Sequence, residues 1–119
     1  MENKVDNRIA YLNGLYQGVW LGNSTEVIDI CKFQTDIYFE MDKSKLIKAD
    51  RLIWQQIQTC RKLCNKKSIF HSKDFYSQLE RIESALTVVH KRIFNILQKD
   101  YNIDSCWEND KGELDYLRI

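Results

Sequence analysis

The clearest hydrophobic pattern lies in the second half of the chain, where apolar residues recur at alternating steps of four and three. This series consists of Phe75, Leu79, Ile82, Leu86, Val89, Ile93 and Ile96. A helix with such a seam buries one face against its neighbours, as the helices of a bundle do. The series runs from Ser72 onward. The pattern therefore predicts a helix of about 25 residues that begins after Ser72.

The segment of residues 4–21 predicts a first amphipathic helix. Its expected buried stripe consists of Val5, Ile9, Leu12, Tyr16 and Val19. Gly14, Gly18 and Gly22 follow one another four residues apart, which indicates either a second face for close packing or a helix that breaks at Gly14 or Gly18. The run from Gly22 to Ser24 then ends the helix, and Asn23 or Ser24 can cap the next one.

Two further segments fill the middle of the chain. In residues 25–41 one helical face carries Val27, Ile30, Cys31, Gln34, Ile37, Tyr38 and Met41. Alternation around Ile28 and the β-prone residues 37–39 leave a strand as the less favoured alternative. Residues 44–65 predict a helix with Ser44 as its N-cap and a stripe of Leu46, Ala49, Ile53, Ile57, Cys60 and Cys64. Ile69 and Phe70 are then expected to pack a loop onto the core.

The last twenty residues change in character. The run from Asn109 to Gly112 is a turn signal between Cys106–Trp107 and the segment 114–117, which predicts a hairpin, with an extended arm as the alternative. The expected fold is mainly α: a single domain over residues 1–119, built as an antiparallel bundle of three to four helices with a short C-terminal hairpin or irregular tail.

Length and composition narrow the class of protein. A chain of 119 residues is too short for a TIM barrel. Its 44% hydrophobic content and net charge of +1 are not those of a disordered chain. It has no apolar run long enough to span a membrane and no secretory leader, so we expect a cytoplasmic protein.

The four cysteines predict reduced thiols. Cys60 and Cys64 stand four residues apart on one helical face, and together with His71, Cys31 or Cys106 they have the donor types for a zinc site. Both also lie in the apolar stripe of their helix, where a thiol acts as a small hydrophobic side chain. We therefore expect core thiols and no metal or other cofactor.

Motifs for catalysis are missing from the sequence. There is no glycine-rich phosphate loop, no zinc-protease motif and no serine-hydrolase motif, and the only histidines are His71 and His90. The sequence therefore predicts a protein that is not an enzyme.

Charge is unevenly distributed along the chain. Residues 1–42 carry three bases and seven acids, residues 43–73 nine bases and one acid, and residues 74–119 six bases and nine acids. In the predicted helix of residues 44–65, one side carries Lys48, Arg51, Lys62 and Lys66. Such a face is either solvated or a contact surface for phosphates, so a nucleic-acid-binding module is the alternative function.

The acidic tail combines carboxylates with large anchor side chains. The predicted partner-binding residues are Asp104, Trp107, Glu108, Asp110, Glu113, Asp115 and Tyr116, with Leu117 beside them. Aromatic anchors contribute binding energy, while carboxylates speed association with a basic partner. The alternative is an acidic cap on the bundle with Trp107 in the core.

Together these features favour a small non-enzymatic inhibitor or escort of the immunity-protein, antitoxin or phage anti-defence type. Its expected partner is another protein with a basic surface. Nucleic acid and a second copy of the chain are the other partners that the sequence leaves open, and no membrane partner is expected.

Overall fold

Four α-helices form the body of the molecule in a computed structural model that describes residues 4–33, 35–66 and 72–118. They are α1 (Lys4–Trp20), α2 (Ser24–Lys32), α3 (Lys43–Asn65) and α4 (Lys73–Tyr101). A 3-10 helix (Thr35–Glu40) lies between α2 and α3, and an antiparallel hairpin of β1 (Ile103–Glu108) and β2 (Leu114–Arg118) follows α4. The expected mainly α bundle with a short C-terminal hairpin is confirmed.

The four helices pack in pairs around one core. α3 packs most extensively against α4, while α1 packs on α3 and α2 on α4. Asp50 contacts His90, whereas Arg61, further along α3, contacts Glu83, which comes earlier in α4. The two helices therefore run antiparallel. None of the described helices is both long and apolar enough to cross a membrane.

The predicted seam of α4 faces the core. Six of its seven members are buried, and Phe75 is half-buried at the first turn. Ser72 is the N-cap of α4, and its hydroxyl accepts a hydrogen bond from the Phe75 amide at 3.2 Å. On α3 the predicted stripe is buried at Leu46, Ala49, Ile53, Ile57 and Cys60, while Cys64 is only partly buried.

The buried face of α1 differs from the predicted one at one position. Leu15 is 1% exposed, whereas Tyr16, predicted to be buried, is 50% exposed. Leu15 lies on the same side of α1 as Gly18, where α2 packs closely: a β-carbon at Gly18 would lie 2.8 Å from Val27 Cγ2. Gly18 therefore provides the close approach that the glycine spacing suggested. A β-carbon at Gly14 would meet no heavy atom of another element within 4 Å, and the helix runs through both glycines without a break.

A glycine ends α1, as the sequence predicts. Gly22 has φ +65°, which favours glycine, and its amide bonds the Val19 carbonyl. The Asn23 amide bonds the Gly18 carbonyl, which completes a Schellman motif. Asn23 then caps α2: its side-chain oxygen accepts from the Glu26 amide at 3.2 Å, so this choice of N-cap is confirmed.

The second predicted helix is divided in two. The segment is helical rather than extended, but α2 ends at Lys32 and the chain continues as the 3-10 helix. At the break, the buried Arg8 guanidinium on α1 donates to the carbonyls of Ile30, at 3.1 Å, and Phe33. Arg8 thus satisfies carbonyls that have no partner within the helix where it ends. Gln34, part of the predicted stripe, lies outside the described residues.

α3 begins one residue before its predicted start. Asp42 is the N-cap, and its carboxylate accepts from the Lys45 amide at 2.8 Å, so the assignment of this role to Ser44 is wrong. The carboxylate also bears the charge that is favoured at a helix N-terminus. The predicted loop contacts of Ile69 and Phe70, and the candidate ligand His71, lie outside the described residues.

The predicted hairpin forms with its turn at residues 109–112. The Asn109 side chain accepts from the amides of Lys111, at 2.9 Å, and Glu113, at 3.0 Å. Gly112 takes φ +79°. Pairing Cys106 with Tyr116 and Trp107 with Asp115 places alternate residues on opposite faces of the ribbon.

Candidate functional site

The inner face of the hairpin is bound to the bundle through a buried carboxylate. Asp50 of α3 is fully buried. The Tyr116 hydroxyl donates to Asp50 Oδ2 at 2.6 Å, and His90 Nδ1 of α4 lies 2.6 Å from Asp50 Oδ1. One carboxylate thus links α3, α4 and β2. This linkage fixes the position of the hairpin relative to the helices.

The chemistry of this network is that of an enclosed structural link. The His90 ring packs against Trp54, with ring centres 5.6 Å apart, and stacks on Phe94, which leaves 15% of the His90 side chain exposed. Burial, followed by the neighbouring Asp50 carboxylate, raises the pKa of Tyr116 far above its usual value. Tyr116 therefore keeps its proton at neutral pH and remains a hydrogen-bond donor.

Two further links join the hairpin to the basic side of α3. Arg51 Nε donates to the Leu114 carbonyl at 2.9 Å, and Arg51 Nη2 lies 3.4 Å from the Asp115 carboxylate. About two helical turns after Arg51, the Gln58 amide donates to the Glu108 carboxylate. Of the seven tail residues predicted to bind a partner, Glu108, Asp115 and Tyr116 therefore make contacts within the chain.

The outer face of the hairpin presents two large apolar side chains. Trp107 is 48% exposed and Leu117 is 50% exposed. Trp107 pairs with Asp115 and Leu117 with Ser105, so both lie on the face opposite Tyr116, on adjacent strands. The alternative that Trp107 fills the core is wrong, because the core is filled from the inner face.

Three predicted carboxylates remain exposed around this hairpin. Asp104, Asp110 and Glu113 are exposed, and none of them forms an ion pair with a base in the described part of the chain. They lie on the same hairpin as the apolar pair, whose backbone the links to α3 and α4 hold in place. We call Trp107, Leu117 and these three carboxylates the hairpin surface.

The predicted basic face of α3 lines a groove beside the hairpin turn. The groove has a volume of about 880 Å³ and includes Lys48, Arg51 and Lys62 of the predicted set. Lys111, Gly112 and Glu113 of the turn form its other wall. Lys66, the fourth predicted residue, lines an adjoining depression of about 370 Å³ that shares Lys62. The structure therefore brings all four basic residues to one connected surface.

All four cysteines are free thiols. Burial raises the pKa of Cys31 to about 11 and that of Cys60 to about 12. Burial is also the main cause that raises the pKa values of Cys64 and Cys106. These thiols are therefore protonated at neutral pH and weak as nucleophiles. Within the described residues, no group of three or more His, Cys, Asp or Glu side chains is arranged to hold a metal ion.

Comparison with known proteins gives no relative. No protein-family model, curated protein or solved structure matches the chain. The geometry of its own residues is thus the basis for assigning a function.

Lys111 and Asp50 were not among the predicted site residues, although one lines the groove and the other holds the hairpin in place. Lys111 occurs in a predicted turn, and its position opposite α3 depends on how the hairpin docks. Asp50 is the only acid in the basic segment 43–73. This isolation is the one signal in the sequence that Asp50 links the helices and the hairpin. An acid on the core side of a helix needs buried hydrogen-bond donors.

Proposed function

We propose that this chain is a small non-enzymatic protein-binding protein, acting in the cytoplasm as an inhibitor or escort of the immunity-protein, antitoxin or phage anti-defence type. Its contact with the partner is made by the hairpin surface. The observation that carries the proposal is the pair of half-exposed side chains, Trp107 and Leu117, on the outer face of a hairpin linked to two helices.

The first support is the chemistry of the pair. Tryptophan is enriched among the side chains that dominate interface energetics. Leu117 is an apolar neighbour of Trp107 on the adjacent strand. Exposure of both side chains leaves apolar area that a partner can remove from water. An indole that is only half-covered by its own chain can still bury its remaining surface on binding.

The second support is the fixed geometry of the hairpin. An isolated two-stranded ribbon is marginally stable in water. Here Tyr116, Arg51 and Gln58 connect it to the bundle through side-chain hydrogen bonds. A surface ordered before binding loses less entropy on association than a disordered arm does. The hairpin is thus suited to rapid, rigid docking.

The third support is charge. Asp104, Asp110 and Glu113 are exposed on the same hairpin as the apolar pair and form no ion pair with a described base. Carboxylates at the rim of an interface attract a basic surface and raise the rate of encounter. We therefore propose a partner with a basic cleft or surface, into which Trp107 inserts.

Comparative affinity capture tests this proposal. Tagged wild-type protein, the double variant Trp107→Ala with Leu117→Ser, and the control Phe39→Ala are incubated with lysate of the native host. Phe39 is 71% exposed on the 3-10 helix, so the control removes an exposed aromatic elsewhere. We expect mass spectrometry to find a basic protein retained by the wild type and the control but lost from the double variant. Identical captures by all three proteins would contradict the proposal.

A further inference from the structure

The groove along α3 and a second depression, which includes an exposed tryptophan of α1, meet at Lys62. Lys62 lines both the groove and the adjoining depression, whose other residues include Trp20 and Lys66. From Lys48 to Lys66 the helix rises about 27 Å. The result is an elongated concave surface with cationic side chains along its length and an indole near its far end.

The cations of this groove are largely unneutralised. Lys48, Lys62, Lys66 and Lys111 form no ion pair with any carboxylate of the described ranges. Only Arg51 is paired, with Asp115. Among the described residues that line the groove, Glu113 is the only one with a carboxylate. The surface therefore favours an extended anion with several charges.

Trp20 adds a feature that a purely electrostatic surface lacks. Its side chain is 46% exposed, and its ring makes an edge contact with Tyr16 at a centroid distance of 5.8 Å. The contact orients the indole while leaving part of it open to solvent. An exposed indole beside lysines is the combination that stacks a base while cations contact the phosphates.

We propose that this groove binds a single-stranded nucleic acid, with Lys48, Lys62, Lys66 and Lys111 on its phosphates and a base stacked on Trp20. A single strand is flexible enough to follow a groove walled by the hairpin turn and can present an unpaired base. A duplex keeps its bases stacked inside and cannot place one on Trp20. This site shares only Glu113 with the hairpin surface and does not rest on the protein-binding proposal.

Fluorescence anisotropy tests the site with labelled strands of about 15 nucleotides, one of oligothymidylate and one of oligouridylate. A duplex of equal length and a polyglutamate peptide serve as competitors. We expect both strands to bind at about 50 mM salt, with a log–log salt slope near −3, from about −0.7 for each of four phosphate contacts. Tighter binding of the uridylate would indicate RNA as the preferred ligand, and tighter binding of the thymidylate DNA.

Three variants separate this site from general basicity. Lys48→Glu with Lys62→Glu should weaken binding at least about tenfold and flatten the salt slope. The control Lys32→Glu with Lys91→Glu makes the same change in net charge at exposed positions on α2 and α4, and should retain most of the affinity. Trp20→Ala should weaken binding roughly five- to hundredfold, while Trp20→Phe keeps a stacking ring and most of the affinity.

Several results would overturn the assignment. These are no strand binding at about 50 mM salt, equal loss in both lysine pairs, no effect of Trp20→Ala, duplex binding as tight as strand binding, or tighter binding of polyglutamate. Trp107→Ala should leave strand binding unchanged. The strand-binding proposal and the protein-binding proposal can therefore fail independently, and the two failures give different results.

Discussion

Tyr116 of β2 and Asp50 of α3 are joined by a hydrogen bond of 2.6 Å between the phenolic hydroxyl and Asp50 Oδ2. The donor comes from the acidic tail and the acceptor from the basic segment of the chain. The bond is shielded from water, since Asp50 is fully buried. It places the inner face of the hairpin on the bundle and thereby determines which side chains face outward.

Removing the Tyr116 hydroxyl should measurably destabilise the protein. Tyr116→Phe leaves one oxygen of a buried carboxylate without its donor, so we expect the free energy of unfolding to fall by about 1–3 kcal/mol. Urea denaturation followed by circular dichroism measures it. The control Tyr11→Phe removes a hydroxyl from a residue that is 58% exposed and should cost less than about 0.5 kcal/mol. Equal stability of the two variants would show that the Tyr116–Asp50 bond contributes nothing.

Stability should decline in alkaline solution. Burial raises the pKa of Cys60 from 9.0 to about 12 and that of Tyr38 from 10.0 to about 12. Between those values the unfolded chain loses the protons and the folded chain keeps them, so ionisation favours unfolding as pH rises. Each such group contributes a loss of up to about 1.4 kcal/mol per pH unit.

Urea denaturation from about pH 7 to about pH 10.5 tests this dependence. We expect constant stability to about pH 8 and a fall above about pH 9. Cys60→Ala removes one of the buried groups, so it should lower the slope of the decline even though its stability at neutral pH is reduced. A wild-type stability that stays constant to about pH 10.5 would contradict the burial of these groups.

Two glycines of α1 should respond in opposite directions to the same substitution. Gly14→Ala places a methyl group where no heavy atom of another element lies within 4 Å, so the gain in helix propensity should stabilise the protein by about 0.5–1 kcal/mol. Gly18→Ala places it 2.8 Å from Val27 Cγ2 and should destabilise by about 1–3 kcal/mol. Thermal melts compare the two. Stabilisation by both would mean that α2 does not approach α1 at Gly18.

Reversing charges near the hairpin turn should slow association with the protein partner. Asp110→Lys with Glu113→Lys removes two exposed carboxylates and is expected to lower the association rate and flatten its salt dependence. The control Asp36→Lys with Glu40→Lys makes the same change in net charge on the 3-10 helix. Association rates measured by surface plasmon resonance with the captured partner should fall only for the hairpin pair. Equal effects of the two pairs would assign the attraction to overall charge.

The parts of the fold that depend on local pattern were predictable from sequence. The α4 seam, the Asn23 cap and the turn at Asn109 follow from periodicity and short-range chemistry. Choosing Asp42 over Ser44 as the N-cap of α3 requires knowing where the first helical turn begins. Short-range sequence preference locates that position only to within about two residues.

Contacts between distant segments were not predictable in the same way. Arg8 resembles a solvent-facing base within an amphipathic helix, yet it bonds the carbonyls of Ile30 and Phe33, more than twenty residues away. Leu15 is buried in place of Tyr16, on the side of α1 that carries Gly18 and packs against the other helices. In each case the packing of another element decides the burial of a side chain, and a single stretch of sequence does not contain that information.

For the same reason, the predicted site residues differ from those of the hairpin surface. The tail sequence indicates which residues are acidic or aromatic, but docking through Asp50 and Arg51 decides which of them remain available. That is why Tyr116 and Asp115 make internal contacts, while Trp107 stays exposed with Leu117 beside it.

The dissociation rate of Trp107→Ala from the captured partner tests the protein-binding proposal most directly. Because Trp107 is 48% exposed, its truncation should leave the melting temperature close to that of the wild type. Loss of an interface anchor worth about 2 kcal/mol should raise the dissociation rate about thirtyfold, with little change in the association rate. A folded variant that dissociates at the wild-type rate would contradict the account, as would lost binding that is accompanied by a large fall in melting temperature.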